Sequence, residues 1–302
     1  TRFPSTAPHR AALSGTCARL STWRPASSAF SRLPRRQARK QQDFPPQFHN
    51  ISNLLAGDGQ PSPDLHLAVE IKQVERTFDM GGVKVGLVMP VHRDLPWQVC
   101  RSIFETQDLF HARGIPLSVT MQVGSSIIEA ARSKSAHEFL KSDCTRLFWV
   151  DSDIAWNPAD FFKLCLFSTK MEVVCGAYCQ KNDEPKFMLA GFAGDGLNEF
   201  GCQEILGLGL GFTIVRRKII EELAAKAPRL TFPDVKEPVA HIFHCDTTGG
   251  LFRGEDVAFF ADVRALGYKV WLDPLVTLSH IGSKAYTASV MDCLVKEPVA
   301  SV

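Results

Sequence analysis

From residue 84 to residue 272, short continuous apolar runs alternate with stretches whose apolar residues recur every three or four positions. Residues 84–90 (KVGLVMP) are almost wholly apolar and end in proline, the pattern of a strand covered on both faces. Asp94 then reads as an N-cap and Pro96 as a first-turn residue. The helix they open carries an apolar stripe of Val99, Ile103, Phe104 and Phe110 and stops at Gly114. Residues 117–123 predict a second strand. Ser126-Ile127-Ile128-Glu129 reads as a capping box, opening a helix with Ala130, Phe139 and Leu140 inward. Residues 146–150 (RLFWV) predict a third strand, and Asn157-Pro158 starts a helix through Phe161, Phe162 and Cys165. Further strands are predicted over 172–178 and 205–215, the second leading into a helix over 218–226. A helix over 255–266 with Gly267 at its end precedes a last strand, 268–272. Apolar strands alternating with amphipathic helices imply an α/β fold, with a mainly parallel central sheet and helices on both faces. Ligands of such sheets bind beyond the carboxyl ends of the strands, so polar residues just after strands are the candidates for chemistry.

Composition narrows the class. The chain has 302 residues, 45% hydrophobic and 22% charged, enough for a sizeable core and unlike a fibrous or wholly disordered chain. Nine cysteines with no C-x-x-C pair read as reduced, mostly buried thiols. The net charge of +2 conceals an asymmetry, because residues 1–42 hold eight Arg, one Lys and no acid. The rest of the chain is therefore net acidic, and no stable nucleic-acid complex is expected for it. Residues 1–67 read as a basic, proline-rich arm and linker too polar to pack, and residues 68–302 as the folded domain. An organellar targeting peptide, a nucleic-acid or membrane-surface tail and a non-native extension all fit the arm. The longest uncharged apolar-rich run, residues 205–215, is far below the roughly 20 residues of a membrane span, so the expected location is cytoplasmic, with organellar targeting open.

The strongest chemical signal is Asp151-Ser152-Asp153, directly after the apolar run RLFWV and just before Asn157-Pro158. Two carboxylates at the end of a buried strand can share one hard divalent cation; the plain alternative is a pair of turn carboxylates. With this context the segment LFWVDSDIAWNP resembles the DxD region of GT-A glycosyltransferases of the family-2-like group. Other segments resemble that group in the same order: KVGLVMPVHRD, SIIEAARSKSAHEFLKSD, GLGLGFTIVRRKIIEEL, RGEDVAFFADVRALGYKVWLDP and SHIGS, together covering about residues 83–284. Arg132-Ser133 departs from the group's common Arg-Asn, and segments 183–204 and 228–250 match nothing in it.

The resemblance implies a Rossmann-like GT-A nucleotide-sugar fold. It also implies a metal-dependent transfer of sugar from a UDP- or GDP-sugar donor to a hydroxyl on a glycan, lipid-linked sugar or other acceptor. Asp151, Asp153 and His280 would hold Mn²⁺ or Mg²⁺, with Asp151 alternatively on the donor's ribose or a metal-bound water. Pro90, His92, Arg93, Arg132 and Ser152 would line the donor pocket, and Gly209 and Gly211 would floor it. Asp256, with Glu255 second, would act as general base for an inverting transfer, although two acids in a first helical turn also suit the helix dipole. Trp156 and Trp271 are candidates for stacking on sugar or base, Trp149 reads as core, and Tyr178, Gln180 and Lys181 border the acceptor side. His241, His244, Cys245 and Asp246 have a spacing that fits no strong zinc pattern. A retaining GT-A enzyme, a nucleotidyltransferase and a catalytically inactive nucleotide- or carbohydrate-binding module are the alternatives. A dehalogenase-type phosphatase is disfavoured, because Ala155 stands where Thr or Val would be expected.

Overall fold

The computed structural model of the chain describes residues 78–294. The predicted arm and the predicted start of the domain near residue 68 lie outside these residues. In chain order the elements are β1 (Val85–Val91), α1 (Trp97–Ala112), β2 (Leu117–Val123), α2 (Ile128–Lys141), β3 (Arg146–Val150), β4 (Ile154–Trp156), α3 (Pro158–Phe167), β5 (Val173–Cys175), β6 (Leu189–Leu197), β7 (Gln203–Leu208), β8 (Phe212–Arg216), α4 (Arg217–Lys226), β9 (Arg229–Leu230), β10 (Val239–Ala240), α5 (Glu255–Ala265), β11 (Val270–Leu272), β12 (Leu278–Ile281), β13 (Ala285–Ala288) and α6 (Val290–Leu294).

Eight strands form the central sheet in the order β2-β1-β3-β8-β5-β11-β7-β6. The pairings make β2, β1, β3, β5, β11 and β6 run one way and β8 and β7 the other. This is the mainly co-directional α/β sheet that the apolar runs imply. The inner strands carry no polar face because both faces are covered. On β3, Leu147 and Trp149 enter one core while Phe148 and Val150 enter the other. One core is closed by Phe139 of α2, Ile219 and Ile220 of α4 and Phe259, Phe260 and Val263 of α5. The opposite core is closed by Val99, Ile103 and Phe110 of α1 and Phe161 and Leu164 of α3. Phe148 and Phe161 stack at 3.8 Å between centroids, and each is fully buried. Truncating such a side chain to alanine costs about 3–5 kcal/mol. No helix among the described residues is long and apolar enough to cross a membrane.

Several local expectations change. The run over 205–215 is not one strand but two, β7 and β8, which sit apart in the sheet with Gly209-Leu210-Gly211 between them. Hydropathy sees one apolar run because both strands are largely buried. Asp94 and Ser126 cap nothing: Pro96 and Ile127 are the N-cap residues of α1 and α2, with no side-chain cap bond. Asn157 does cap α3, its Oδ1 accepting from Ala159 N at 2.9 Å, with Pro158 in the first turn. Gly114 and Gly267 follow helix ends with φ of 63° and 88°, as their positions require.

Candidate functional site

The sheet brings the carboxyl ends of β1, β3 and β5 to one edge. β1 and β3 are parallel neighbours, and β8 runs back beside β3 so that Asp151 N donates to Gly211 O at 3.0 Å. Gly176 N donates to Phe212 O at 2.9 Å, which fixes where the chain after β5 leaves the sheet. A smaller sheet, β13-β12-β4, then folds over this edge. His280 of β12 pairs with Ile154 of β4, and Ile281 N donates to Asp153 O at 2.7 Å. Residues 126 positions apart in sequence thus meet because β12 pairs with the short strand that follows Asp153. Between these elements and the start of α5 lies a cleft of about 550 Å³. Pro90, His92, Arg132, Asp151, Ser152, Asp153, Glu255, Asp256 and His280, each singled out in the sequence, all line it, together with Tyr178 and Ser125.

Two charge networks divide the cleft. In the first, Arg132 Nη2 donates to Asp151 Oδ1 at 2.8 Å, and Tyr178 OH donates to Asp151 Oδ2 at 3.2 Å. Arg132 Nη1 lies 3.3 Å from Glu255 Oε1, close enough for an ion pair but not aligned as a hydrogen bond. The guanidinium side chain is only 5% exposed, and its Nε and Nη1 have no hydrogen-bond partner among the described residues. Burial opposes charge on Arg132, but Asp151 and Glu255 outweigh it and its pKa rises. Glu255 and Asp256 are pushed up from the usual carboxylate range by burial, against the downward pull of Arg132. Asp256 Oδ1 accepts from Val257 N at 2.8 Å. Burial and the nearby Asp151 charge hold Tyr178 well above the usual phenol value, so it is a hydrogen-bond donor at neutral pH.

In the second network, Asp153 Oδ2 faces both Lys181 Nζ at 2.7 Å and His280 Nε2 at 3.3 Å. Burial raises the Asp153 carboxyl, but His280 and Lys181 outweigh it and the pKa falls. His280 Nδ1 lies 2.9 Å from Cys179 O. A carbonyl only accepts, so Nδ1 carries the proton. In the neutral ring Nε2 is then a lone pair aimed at a carboxylate oxygen. A protonated ring would instead donate to that oxygen, which the Lys181 ammonium already holds. A ligating histidine commonly anchors its other nitrogen on a backbone carbonyl in this way.

The expected residues are therefore sorted differently by the fold. Asp151 turns to Arg132 and Tyr178, while Asp153 turns to His280 and Lys181. Among the described residues no three His, Cys, Asp or Glu side chains converge as a cation site. Asp153 and His280 could offer a divalent ion one oxygen and one nitrogen, a pair that suits Mn²⁺ better than Mg²⁺. Arg93 is exposed and lies outside the lining. Gly209 and Gly211 do not floor the cleft. A Cβ on Gly209 would lie 2.9 Å from Tyr178 Cζ, and one on Gly211 2.7 Å from Asp151 Cγ. These glycines make room for the side chains that line the cleft. Trp156 cannot stack on a ligand, because it is buried beside Phe161 and bonds Thr106 Oγ1 through Nε1 at 2.9 Å. Trp149 is core, edge-on to Phe243. The His241 and His244 rings lie 6.3 Å apart, Cys245 bonds Glu129 and Asp246 pairs with Arg253, so the HIFHCD cluster is spread over separate partners. The contacts of Tyr178 and Lys181 were not legible in sequence beyond their place after a buried strand, the same signal that marks Asp151.

No family model and no curated protein matches the chain. Among solved structures it is similar to GalNAc-T7 crystallised with UDP, GalNAc and Mn²⁺, at 11% identity and a TM-score of 0.42 over 68% of this chain. The chain spans 45% of that structure's length. It is also similar to a variant of Drosophila β1,4-galactosyltransferase 7 in complex with manganese, UDP-Gal and xylobiose, at 11% identity and a TM-score of 0.40, over 73% of this chain and 82% of that one. A third similarity, at 11% identity and a TM-score of 0.28, is to 4-diphosphocytidyl-2C-methyl-D-erythritol synthase from Anaerococcus prevotii, over 51% of this chain and 80% of that one.

Proposed function

We propose that the chain is a GT-A-type, metal-dependent glycosyltransferase that moves a sugar from a nucleotide-sugar donor to an acceptor hydroxyl with inversion. The observation that carries this reading is His280 Nε2 facing Asp153 Oδ2 in the same cleft as the buried charge of Arg132. Asp153 and His280 would hold the cation, and when bound it would supply Lewis-acid stabilisation of the leaving diphosphate. Arg132 sets a buried positive charge in the wall of the cleft, which favours an anionic group entering it. Asp151, held by Tyr178, fixes the guanidinium in place. Asp256 is the general base: burial raises its proton affinity, and the start of α5 mounts it on a rigid element facing the cleft. Glu255 is committed to Arg132 and serves as its second anchor. Pro90, His92 and Ser152 line the side on which the nucleotide would lie.

The test is a donor screen on the full chain. UDP-, GDP- and CDP-sugars are incubated with Mn²⁺ or with chelator, and released nucleotide is measured. The expected result is Mn²⁺-dependent release from one donor, lost in Asp153→Asn. Pyrophosphate release from a nucleoside triphosphate and a sugar phosphate would instead establish a nucleotidyltransferase. No release together with no Mn²⁺-dependent binding of any nucleoside diphosphate would overturn the reading and favour the binding module.

A further inference from the structure

Lys181 plays no part in the reading above, yet it occupies the most contested point in the cleft. Its ammonium shares Oδ2 of Asp153 with the His280 imidazole, at 2.7 Å and 3.3 Å respectively. A divalent ion bound to that same oxygen would stand within a few ångström of the ammonium, where like charges repel.

The path of the Lys181 side chain is built for this position. Lys181 starts the loop closed by the Cys179–Phe187 bridge, with Gln180 N donating to Lys186 O at 2.7 Å. Its stem passes over Gly282, the residue just after β12, where a Cβ would lie 3.0 Å from Lys181 Cδ and 3.5 Å from Cε. A Cβ at 282 would crowd the stem, which must give by a few tenths of an ångström. The side chains of Lys181 and Asp153 are 39% and 36% exposed, so the ammonium can leave to solvent and an ion can enter from it.

We infer that Lys181 is a tethered counter-cation that neutralises Asp153 and competes with a divalent ion for its carboxylate. This rests on the metal reading of Asp153 and His280 and adds that the chain itself competes for the site. Lys181 thereby sets the metal affinity, as a positioning residue and not a catalytic one.

The test titrates Mn²⁺ alone into the full-length chain at fixed pH and ionic strength, reading free Mn²⁺ by its paramagnetic resonance signal. A half-exposed ion pair shifts an equilibrium by about two- to fivefold, and losing the repulsion between ammonium and ion adds to this. Lys181→Met is expected to tighten Mn²⁺ binding about three- to tenfold. Gly282→Ala, which keeps every charge but crowds the stem, is expected to tighten it in the same direction by less. In Asp153→Asn, adding Lys181→Met is expected to change nothing. Unchanged or weaker binding in Lys181→Met, with the native chain binding Mn²⁺ normally, would overturn the inference and leave the metal reading intact. No Mn²⁺ binding by the native chain or by either single variant would overturn both.

Discussion

Arg132→Met probes the buried charge network at its centre. The guanidinium is 5% exposed and lies 2.8 Å from Asp151 and 3.3 Å from Glu255. At an effective dielectric of about 20, a pair at 2.8 Å carries about 6 kcal/mol of gross attraction, much of it offset by the cost of burying the charge. Methionine keeps most of the stem volume and removes the guanidinium, its charge and its hydrogen bond to Asp151. Asp151, Glu255 and Asp256 then share a poorly solvated pocket with no cation, and such a loss costs about 3–5 kcal/mol. The cost has a defined pH dependence. The ionisable groups facing Arg132 are Asp151, Glu255, Asp256 and the Tyr178 phenol, which stays protonated. Glu255 and Asp256 already sit above the usual carboxylate range, and Arg132 is what holds them down. Without it they rise further. A carboxyl whose folded pKa exceeds its unfolded value leaves stability untouched well below the unfolded value. Its penalty grows as pH rises through the folded pKa and is complete above it. The variant's deficit is therefore expected to be full at pH 8 and clearly smaller near pH 5. Urea denaturation followed by circular dichroism at both pH values measures it. A loss under about 1 kcal/mol at pH 8, or a loss equal at both pH values, would refute the buried-network argument.

Three other substitutions test separate contacts. Gly211→Ala places a Cβ 2.7 Å from Asp151 Cγ and 2.9 Å from Tyr178 Cε1, and is expected to lower stability by about 1–3 kcal/mol in a urea titration; a neutral result would mean that Asp151 and Tyr178 are not packed as described. Ser102→Ala removes a buried hydroxyl that donates to Trp156 O at 2.8 Å and accepts from Trp156 N at 3.0 Å, so a cost of about 1–3 kcal/mol is expected in the same assay, and no cost would show that β4 does not need this anchor to α1. Arg217→Met strips the end of α2 of its cap, since Arg217 donates to Leu140 O at 2.6 Å and to Ser142 O and Cys144 O at 3.0 Å. Amide exchange in the last turn of α2 should accelerate while the amides around Arg132, in its second turn, stay protected, and uniform exchange along α2 would contradict this.

Hydropathy alone marked β1, β3 and β5 as strands covered on both faces, because a run such as RLFWV offers no polar side to water. It also marked Asp151 and Asp153, because charge directly after such a run must sit at the sheet's edge. The stops at Gly114 and Gly267 and the cap at Asn157 were legible for a local reason: each is decided by one residue's backbone or side-chain geometry. Sequence could not say that one apolar run becomes two distant strands, nor that Gly209 and Gly211 make room for Tyr178 and Asp151, since only tertiary packing places those side chains beside them. Nor could it divide the Asp-x-Asp pair. Two residues after one strand look equivalent in a sequence. Which of them meets Arg132 and which meets His280 and Lys181 depends on α2, β12 and the loop after β5, whose positions follow from long-range strand pairing and burial.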